Sequence, residues 1–586
     1  MTPGDRQSRV ARVLMAALGA MLTALAGYLV YMYIFSSDAL SARASRQDTM
    51  QVPIRPMRGH LLDTRMRVLA GSLEVQSVFA DPKVVRNAGA AATGVGRILG
   101  LDAREVERRL TADPNERFVW LARRVTPEQG RAIRDAALPG IALTNEGVRH
   151  YPNKTLAAHV VGCVGVDEQG LEGLEQLFND RLRGHEGRAC VLADRRRRPI
   201  WTSPDQFVPA EDGQHLVLTI DASIQATTEE AVAEARMKFR AASATGIVMD
   251  PRTGAILAMA NAPTYDPSRY ADFPVAARRN RAVTDTFPPG SSCKPFVASA
   301  ALEAGVVRFG EVIYCENGYW AEAKLHDAGH SYGNLTFEQG LEKSSNIMMG
   351  KLGVRLGNAR LHRALVAYGF GRRTGVWLPG ESNGVVFSLP RWTKLSTTRV
   401  AFGQEFAVTP LQLITAFAAI ANGGKMVRPK ILRGVLDSRG EVAVDLSEPE
   451  VVGQAIQAKT ARQMIDRALV GVIEEGTGKG CQIPGYRVFG KTGTAQKIDP
   501  ETRTVSHTRY MGAFLAGAPA DNPQVVVLVT VDEPDKSLGY YGGTVAAPAV
   551  KKILEQALPY LGIPPTEAAP EKNEARLVRH DVRVTD

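Results

Sequence analysis

The chain has 586 residues, 45% hydrophobic and 23% charged, with 71 Lys and Arg against 61 Asp and Glu for a net charge of +10. That length exceeds what one hydrophobic core fills and favours two to four domains, and the balance excludes a disordered or fibrous chain. Arginine is spread through the sequence without zinc-finger spacing or an RNP-type aromatic pattern, so the charge points to anionic surfaces such as lipid head groups and not to nucleic acid. Cys163, Cys190, Cys293, Cys315 and Cys481 form no C-x-x-C pair. Their odd number suggests neither a disulfide framework nor a metal cage, and it leaves a Cys163–Cys190 bridge open.

The first element is apolar. Val13 to Phe35 carry no charged side chain, and as a helix they span roughly 35 Å, enough for a hydrocarbon core of about 30 Å. Tyr28, Tyr31 and Tyr33 gather near its C-terminal end, where amphipathic rings favour the interface. Arg6, Arg9 and Arg12 precede it against the single Asp5, which puts the N-terminus in the cytoplasm by the positive-inside rule and the remainder outside. A cleaved signal peptide ending near Ala42-Arg43-Ala44 is the rival reading, but signal h-regions run only about 7–15 residues.

We therefore expect a cytoplasmic tail at 1–12, a membrane helix at 13–35 and a polar stalk at 36–52. A non-catalytic α+β pedestal follows at 53–212, with helical patterns such as Ala103–Leu110 and Leu171–Leu182 between frequent turn signals. A second unit, 213–562, starts with the strand-like Leu216–Ile220, after which Asp221 caps a helix bearing Ile224, Ala231 and Ala235 on one face. Gly246–Asp250 and Ala255–Met259 flank Pro251-Arg252-Thr253-Gly254 as a hairpin. Helical segments dominate to about residue 480; strand-like runs at Tyr486–Gln496, Tyr510–Gly517 and Gln524–Asp532 follow, then a helix at Ala546–Leu561. Strands at both ends of a helical middle predict an α+β fold whose antiparallel sheet pairs sequence-distant strands. The Pro-, Glu- and Arg-rich end, 563–586, is expected to be disordered.

Chemistry concentrates at three places. In Pro289-Gly290-Ser291-Ser292-Cys293-Lys294-Pro295 a turn precedes a helix, so Ser291 lies at a helix N-terminus and Lys294 one turn on, on the same face. A serine hydroxyl needs a base to become a nucleophile, and a desolvated amine is one. Alone, S-x-x-K is a weak signal. Ser344-Ser345-Asn346 offers a hydroxyl for proton relay and an amide to orient substrate, although it also reads as a plain helix N-cap before Ile347. Lys491-Thr492-Gly493-Thr494 ends the 486–496 run; its amine and hydroxyls suit a carboxylate and its glycine allows close approach, against the alternative of an exposed turn. The Ser291 and Thr494 amides suit an oxyanion hole. The ordered set S-x-x-K, S-x-N, K-T-G is the recognised signature of penicillin-binding proteins and class A β-lactamases. Gly476-Thr477-Gly478-Lys479-Gly480 fails as a phosphate loop, no H-E-x-x-H occurs, and His150 and His159 read as surface or structural, so no metal, nucleotide or other cofactor is expected.

On these motifs the chain resembles the class B penicillin-binding proteins over nearly its whole length. Arg58-Gly59, Asp63 and Leu69-Ala70 resemble the family's N-terminal signature, with Thr64-Arg65-Met66 in place of its R-x-G. Gly173-Leu174-Glu175 resembles its G-L-E box, and Asn280-Arg281-Ala282, Gly403-Gln404 and Val408-Thr409-Pro410-Leu411-Gln412 its transpeptidase domain. Cys315-Glu316-Asn317-Gly318 and Tyr541–Pro548 are most similar to the septal, cell-division branch; the elongation branch is the alternative. The resemblance implies a penicillin-binding, β-lactamase-like catalytic domain in which Ser291 is acylated, Lys294 is its base, and Ser344 and Asn346 pass the proton and hold the donor peptide. Lys491, Thr492, Gly493 and Thr494 would then receive the terminal carboxylate. It implies a D-Ala-D-Ala transpeptidase of the inner membrane, trapped by β-lactams. Its expected partners are peptidoglycan stem peptides, a SEDS-type glycosyltransferase and other division proteins. A hydrolase using the same motifs, a β-lactam sensor and a division scaffold are the rivals.

Overall fold

The computed structural model describes residues 3–35, 49–113, 116, 118–193, 199–499 and 504–566. Most of the expected stalk and nearly all of the expected C-terminal tail fall outside them. The described stalk residues 49–52 belong to a strand, Thr49–Ile54, paired with Gly187–Ala193.

Helix α1, Pro3–Phe35, is longer than its apolar part, Val10–Ile34, because charge marks where a membrane must end and not where helical hydrogen bonding begins. The chain divides into two compact units, 1–56 with 74–146 and 185–211, and 57–73 with 147–184 and 212–586. The expected boundary at residue 212 therefore does not coincide with this division: the Arg58, Asp63 and Glu175 signatures fold with the second unit. In the first unit Ala88–Leu99 and Ala103–Thr111, capped by Asn87 and Asp102, share an apolar core with the strand Val119–Val125. Leu171–Leu182, read as one helix, forms two short ones, Gly173–Leu177 and Asn179–Arg183.

The second unit is built on a five-stranded antiparallel sheet: β1 (Ser243–Met249), β2 (Ile256–Ala262), β3 (Phe489–Ile498), β4 (Val505–Ala518) and β5 (Val525–Asp532), in the order β2-β1-β5-β4-β3. Its period of two sorts one strand into two cores. Val525, Val527, Val529 and Val531 of β5 pack with Ile224 and Val232 of helix α2 (Ala222–Lys238) and with Val550 and Leu554 of the C-terminal helix Ala547–Tyr560. Val526 and Leu528 face the helical middle instead, with Leu413 and Phe417 of Pro410–Ala421, a helix buried along its whole length. Asp221 caps α2 as expected, accepting from Ser223 N at 2.9 Å.

The middle also holds short strand pairs that no periodicity announces, such as Val312–Tyr314 with Asn334–Thr336. Arg58, Arg149 and Glu175 form a fully buried cluster: Glu175 accepts from Arg58 Nε at 2.7 Å and from Arg149 Nε at 2.6 Å. Met66, where the family signature has glycine, takes the left-handed conformation all the same, at φ 66°. Cys163 is a buried free thiol, and Cys190 lies among residues whose side chains are not described.

Candidate active site

The first contribution is the turn ahead of helix α3, Lys294–Glu303. Gly290–Cys293 forms a single 3-10 turn that runs straight into α3, with Ser291 half-buried in it and Pro295 in the helix's first turn, where a missing N–H leaves no bond unmade. Gly290 (φ 53°) is pinned from behind by its amide bond to Gly403 O at 3.1 Å. A Cβ on Gly403 would lie 2.1 Å from Gly290 O, which explains the Gly-Gln pair at 403–404. Thr409-Pro410-Leu411-Gln412 is a capping box starting the buried helix behind this turn, and Val408 bonds Phe287. Cys293 fills the space beneath Ser291's turn and is fully buried.

The second contribution is strand β3, the free edge of the sheet. Lys491–Thr494 is not an exposed turn: Lys491 pairs with Leu515 and Thr494 with Gly512, and Lys491 is fully buried. A Cβ on Gly493 would come within 1.9 Å of Ser292 Oγ, and one on Gly290 within 2.7 Å of Thr494 O. Ser291 is thus flanked on both sides by residues touching the K-T-G strand. In an antiparallel strand a residue's N–H and C=O point the same way, so Thr494 N–H is directed toward the Ser291 turn along with its carbonyl.

The third is the turn before helix α4, Asn346–Leu356, where Ser345 is indeed the N-cap, accepting from Met348 N. The cap reading and the site reading hold together, because capping leaves the flanking side chains free. Lys294 Nζ donates to Ser344 O at 2.6 Å, Ser344 Oγ at 3.1 Å and Asn346 Oδ1 at 2.8 Å. Lys491 Nζ donates to the same Ser344 Oγ at 2.9 Å. Ser344 carries φ 59°, a left-handed conformation uncommon for serine, and its hydroxyl is the junction of the two amines.

Two buried amines around one hydroxyl set the electrostatics. Burial pulls Lys294 down to about 8, against the opposing field of Asp327. Burial, reinforced by Lys294, holds Lys491 well below the ordinary lysine range. A desolvated amine near neutrality is a competent base, and a second one draws in an anion that restores its charge.

Every residue expected from the motifs therefore falls on one of three segments that meet at Ser344 and Gly493. Two neighbours were missed. Thr477, in the segment rejected as a phosphate loop, shares a hydrogen bond of 2.7 Å with Thr492 Oγ1. Asp327, in irregular chain, accepts from Ser345 Oγ and from the backbone amides of Asn346 and Ile347. A preference of helix N-termini for anions is the signal that bears on Asp327, and it does not say which carboxylate. His159 is buried and bonds Ala277 O at 2.8 Å, and His150 is exposed, in line with structural and surface roles. Among the described residues no group of His, Cys, Asp and Glu is arranged to hold a metal.

Residues 244–555 match the model of the penicillin binding protein transpeptidase domain, and 53–218 that of the penicillin-binding protein dimerisation domain. The chain belongs to the penicillin-binding protein transpeptidases. Within this family it is 33% identical over 574 residues to the peptidoglycan D,D-transpeptidase FtsI of Escherichia coli K12, covering 95% of this chain and 93% of that protein. It is 32% identical over 548 residues to the stage V sporulation protein D of Bacillus subtilis, covering 92% and 84%. Among solved structures, penicillin binding protein 3 of Mycobacterium tuberculosis in complex with aztreonam superposes with a TM-score of 0.68 at 27% identity, over 89% of this chain and 100% of that one. Penicillin binding protein 2X of Streptococcus thermophilus gives 0.72 at 25%, over 88% and 81%. A penicillin-binding protein of this kind is a serine acyltransferase of the D-Ala-D-Ala transpeptidase class, and the mixed α+β architecture agrees with that membership.

Proposed function

We propose that this penicillin-binding protein cross-links peptidoglycan stem peptides through an acyl-enzyme on Ser291, in septal wall synthesis. The observation that carries the reading is the bridge from Lys294 through Ser344 Oγ to Lys491, which joins three motifs far apart in sequence. In the first step the neutral Lys294 amine takes the Ser291 hydroxyl proton while Oγ attacks the penultimate D-Ala carbonyl. The Ser291 and Thr494 amides receive the oxyanion. The C–N bond to the terminal D-Ala then breaks, its nitrogen takes the proton through Ser344, and an ester remains. In the second step an amine of another stem attacks that ester, its proton passes to the base, the C–O bond breaks and Ser291 recovers its hydroxyl. A β-lactam follows the first step, but its cleaved amide nitrogen stays tethered.

Lys491, Thr492 and Thr494 hold the donor carboxylate, Gly493 lets that strand lie against the S-x-x-K turn, and Asn346 holds the donor peptide. The arriving carboxylate favours a proton on Lys491, whose charge in turn favours a neutral Lys294. The FtsI relative supports the septal assignment. The arginines before α1 favour a cytoplasmic N-terminus with the catalytic unit outside, where the polymerising partner would be a SEDS-type glycosyltransferase.

The test is labelling of the full chain with a fluorescent penicillin. Wild type should form a stable covalent adduct and a folded Ser291→Ala none. Stoichiometric labelling of Ser291→Ala, or rapid turnover of the penicillin by wild type, would sink the reading.

A further inference from the structure

Asp327 follows the two-residue strand Leu325–His326 and is 6% exposed. Its carboxylate is held by three donors of one turn: the Ser345 hydroxyl, 3.0 Å from both oxygens, Asn346 N at 2.5 Å from Oδ1 and Ile347 N at 3.1 Å from it. The neighbouring His326 O accepts from Asn346 Nδ2 at 3.0 Å. Asn346 is therefore held by backbone and side chain at once, and the orientation of its amide is what aims Oδ1 at Lys294 Nζ. The same grip holds the left-handed Ser344, whose hydroxyl and carbonyl are the amine's other two acceptors.

We infer that Asp327 is a positioning residue for acylation: its carboxylate locks the Ser344–Asn346 turn onto Lys294 and places a fixed negative charge behind that amine. The inference rests on the Ser291–Lys294 reading above. A plain helix cap needs only acceptor atoms, which an amide oxygen also supplies; the charge is the part a cap does not need.

The groups facing this pair are few. Lys294 meets Lys491 from β3, Cys293 from its own turn and the field of Asp327. Asp327 faces Cys315 and Tyr332, both raised above their ordinary values chiefly by burial, so neither ionises between pH 6 and about 8. The field of Asp327 acts on Lys294 and is not among the influences on Lys491. Losing this negative charge makes Lys294 easier to deprotonate, so the neutral base persists to lower pH.

The experiment is the pH profile of penicillin acylation by the full chain, for wild type, Asp327→Asn, Ser345→Ala and Ser291→Ala, with thermal melts as the check on folding. Asp327→Asn should move the acid limb down by roughly one pH unit. Ser345→Ala, which removes one of the three donors but not the charge, should slow acylation and leave the limb in place. An unmoved limb in Asp327→Asn, whatever its rate, overturns the inference. If that variant does not fold, Ser345→Ala decides, and acylation at the wild-type rate overturns it. Labelling that survives in Ser291→Ala overturns the parent reading instead.

Discussion

The second unit buries two clusters of positive charge, and they are built from different cations. Around Glu175, Arg58 and Arg149 are almost fully enclosed, and their bonded N–H groups reach the Glu175 carboxylate and carbonyl, Glu168 O, Asn179 Oδ1, Gly59 O and Ser72 Oγ, while Arg149 Nη2 is buried without a partner. Around Ser344, Lys294 and Lys491 are as deeply buried but touch only neutral acceptors, with no carboxylate bonded to either. A guanidinium cannot shed its proton, so it must be satisfied where it sits, whereas an amine in the same surroundings can. Arginine holds the frame, and lysine stands where the proposed reaction needs charge to come and go.

Lys294→Met breaks the comparison on the reactive side. It removes the base while filling a similar volume, so penicillin acylation should fall by about 10²–10⁴. A buried, weakly compensated amine is also lost, so the melting temperature should hold or rise. A variant acylated at the wild-type rate, or one that merely unfolds, would show that Lys294 is structural. Glu175→Gln breaks it on the structural side. Two enclosed guanidinium groups would lose their shared anion, at about 3–5 kcal/mol of stability. The readout is a lower melting temperature with an unchanged acylation rate per folded molecule; a melt within a degree of wild type would mean the cluster is not fixed by its charge.

The two clusters also differ in how far they could be read from the sequence. The proposed catalytic residues sit in short motifs whose local chemistry is legible, and the strands of the sheet show as continuous apolar runs, as in Val525–Asp532. The hairpin at 246–259 and the Asp221 cap were legible for the same reason: each is decided within a few residues. What joins Arg58 to Glu175, Asp63 to Ala222 or Asp327 to Asn346 is a contact from an irregular segment to a residue of a helix far off in sequence, and it leaves no periodic trace. The place of 57–73 in the second unit was hidden for a related reason, because the strand Leu61–Leu62 that pairs with Leu216 and Val217 is too short to show a pattern. Thr477 was passed over because its flanking glycines were weighed only as a phosphate loop and rejected, whereas they serve close packing, a Cβ on Gly476 meeting Glu342 O at 2.5 Å.

The smallest expected effect is the most specific to the amine pair. With Lys294 near 8, the neutral base makes up about a tenth of the enzyme at pH 7 and about nine-tenths at pH 9, so the second-order acylation constant should rise about ten-fold across that range. A group whose charged form is reactive would give the opposite slope, and an arginine-like group none. The profile measured at saturating penicillin adds a second constraint. Once its carboxylate lies on Lys491 that amine is charged, repulsion lowers Lys294 further, and the limb in the bound complex must lie at lower pH than the limb in the free enzyme. Limbs that coincide would mean that the two lysines do not sense each other through Ser344, and the reading of this site as a proton exchanged between them would have to be abandoned.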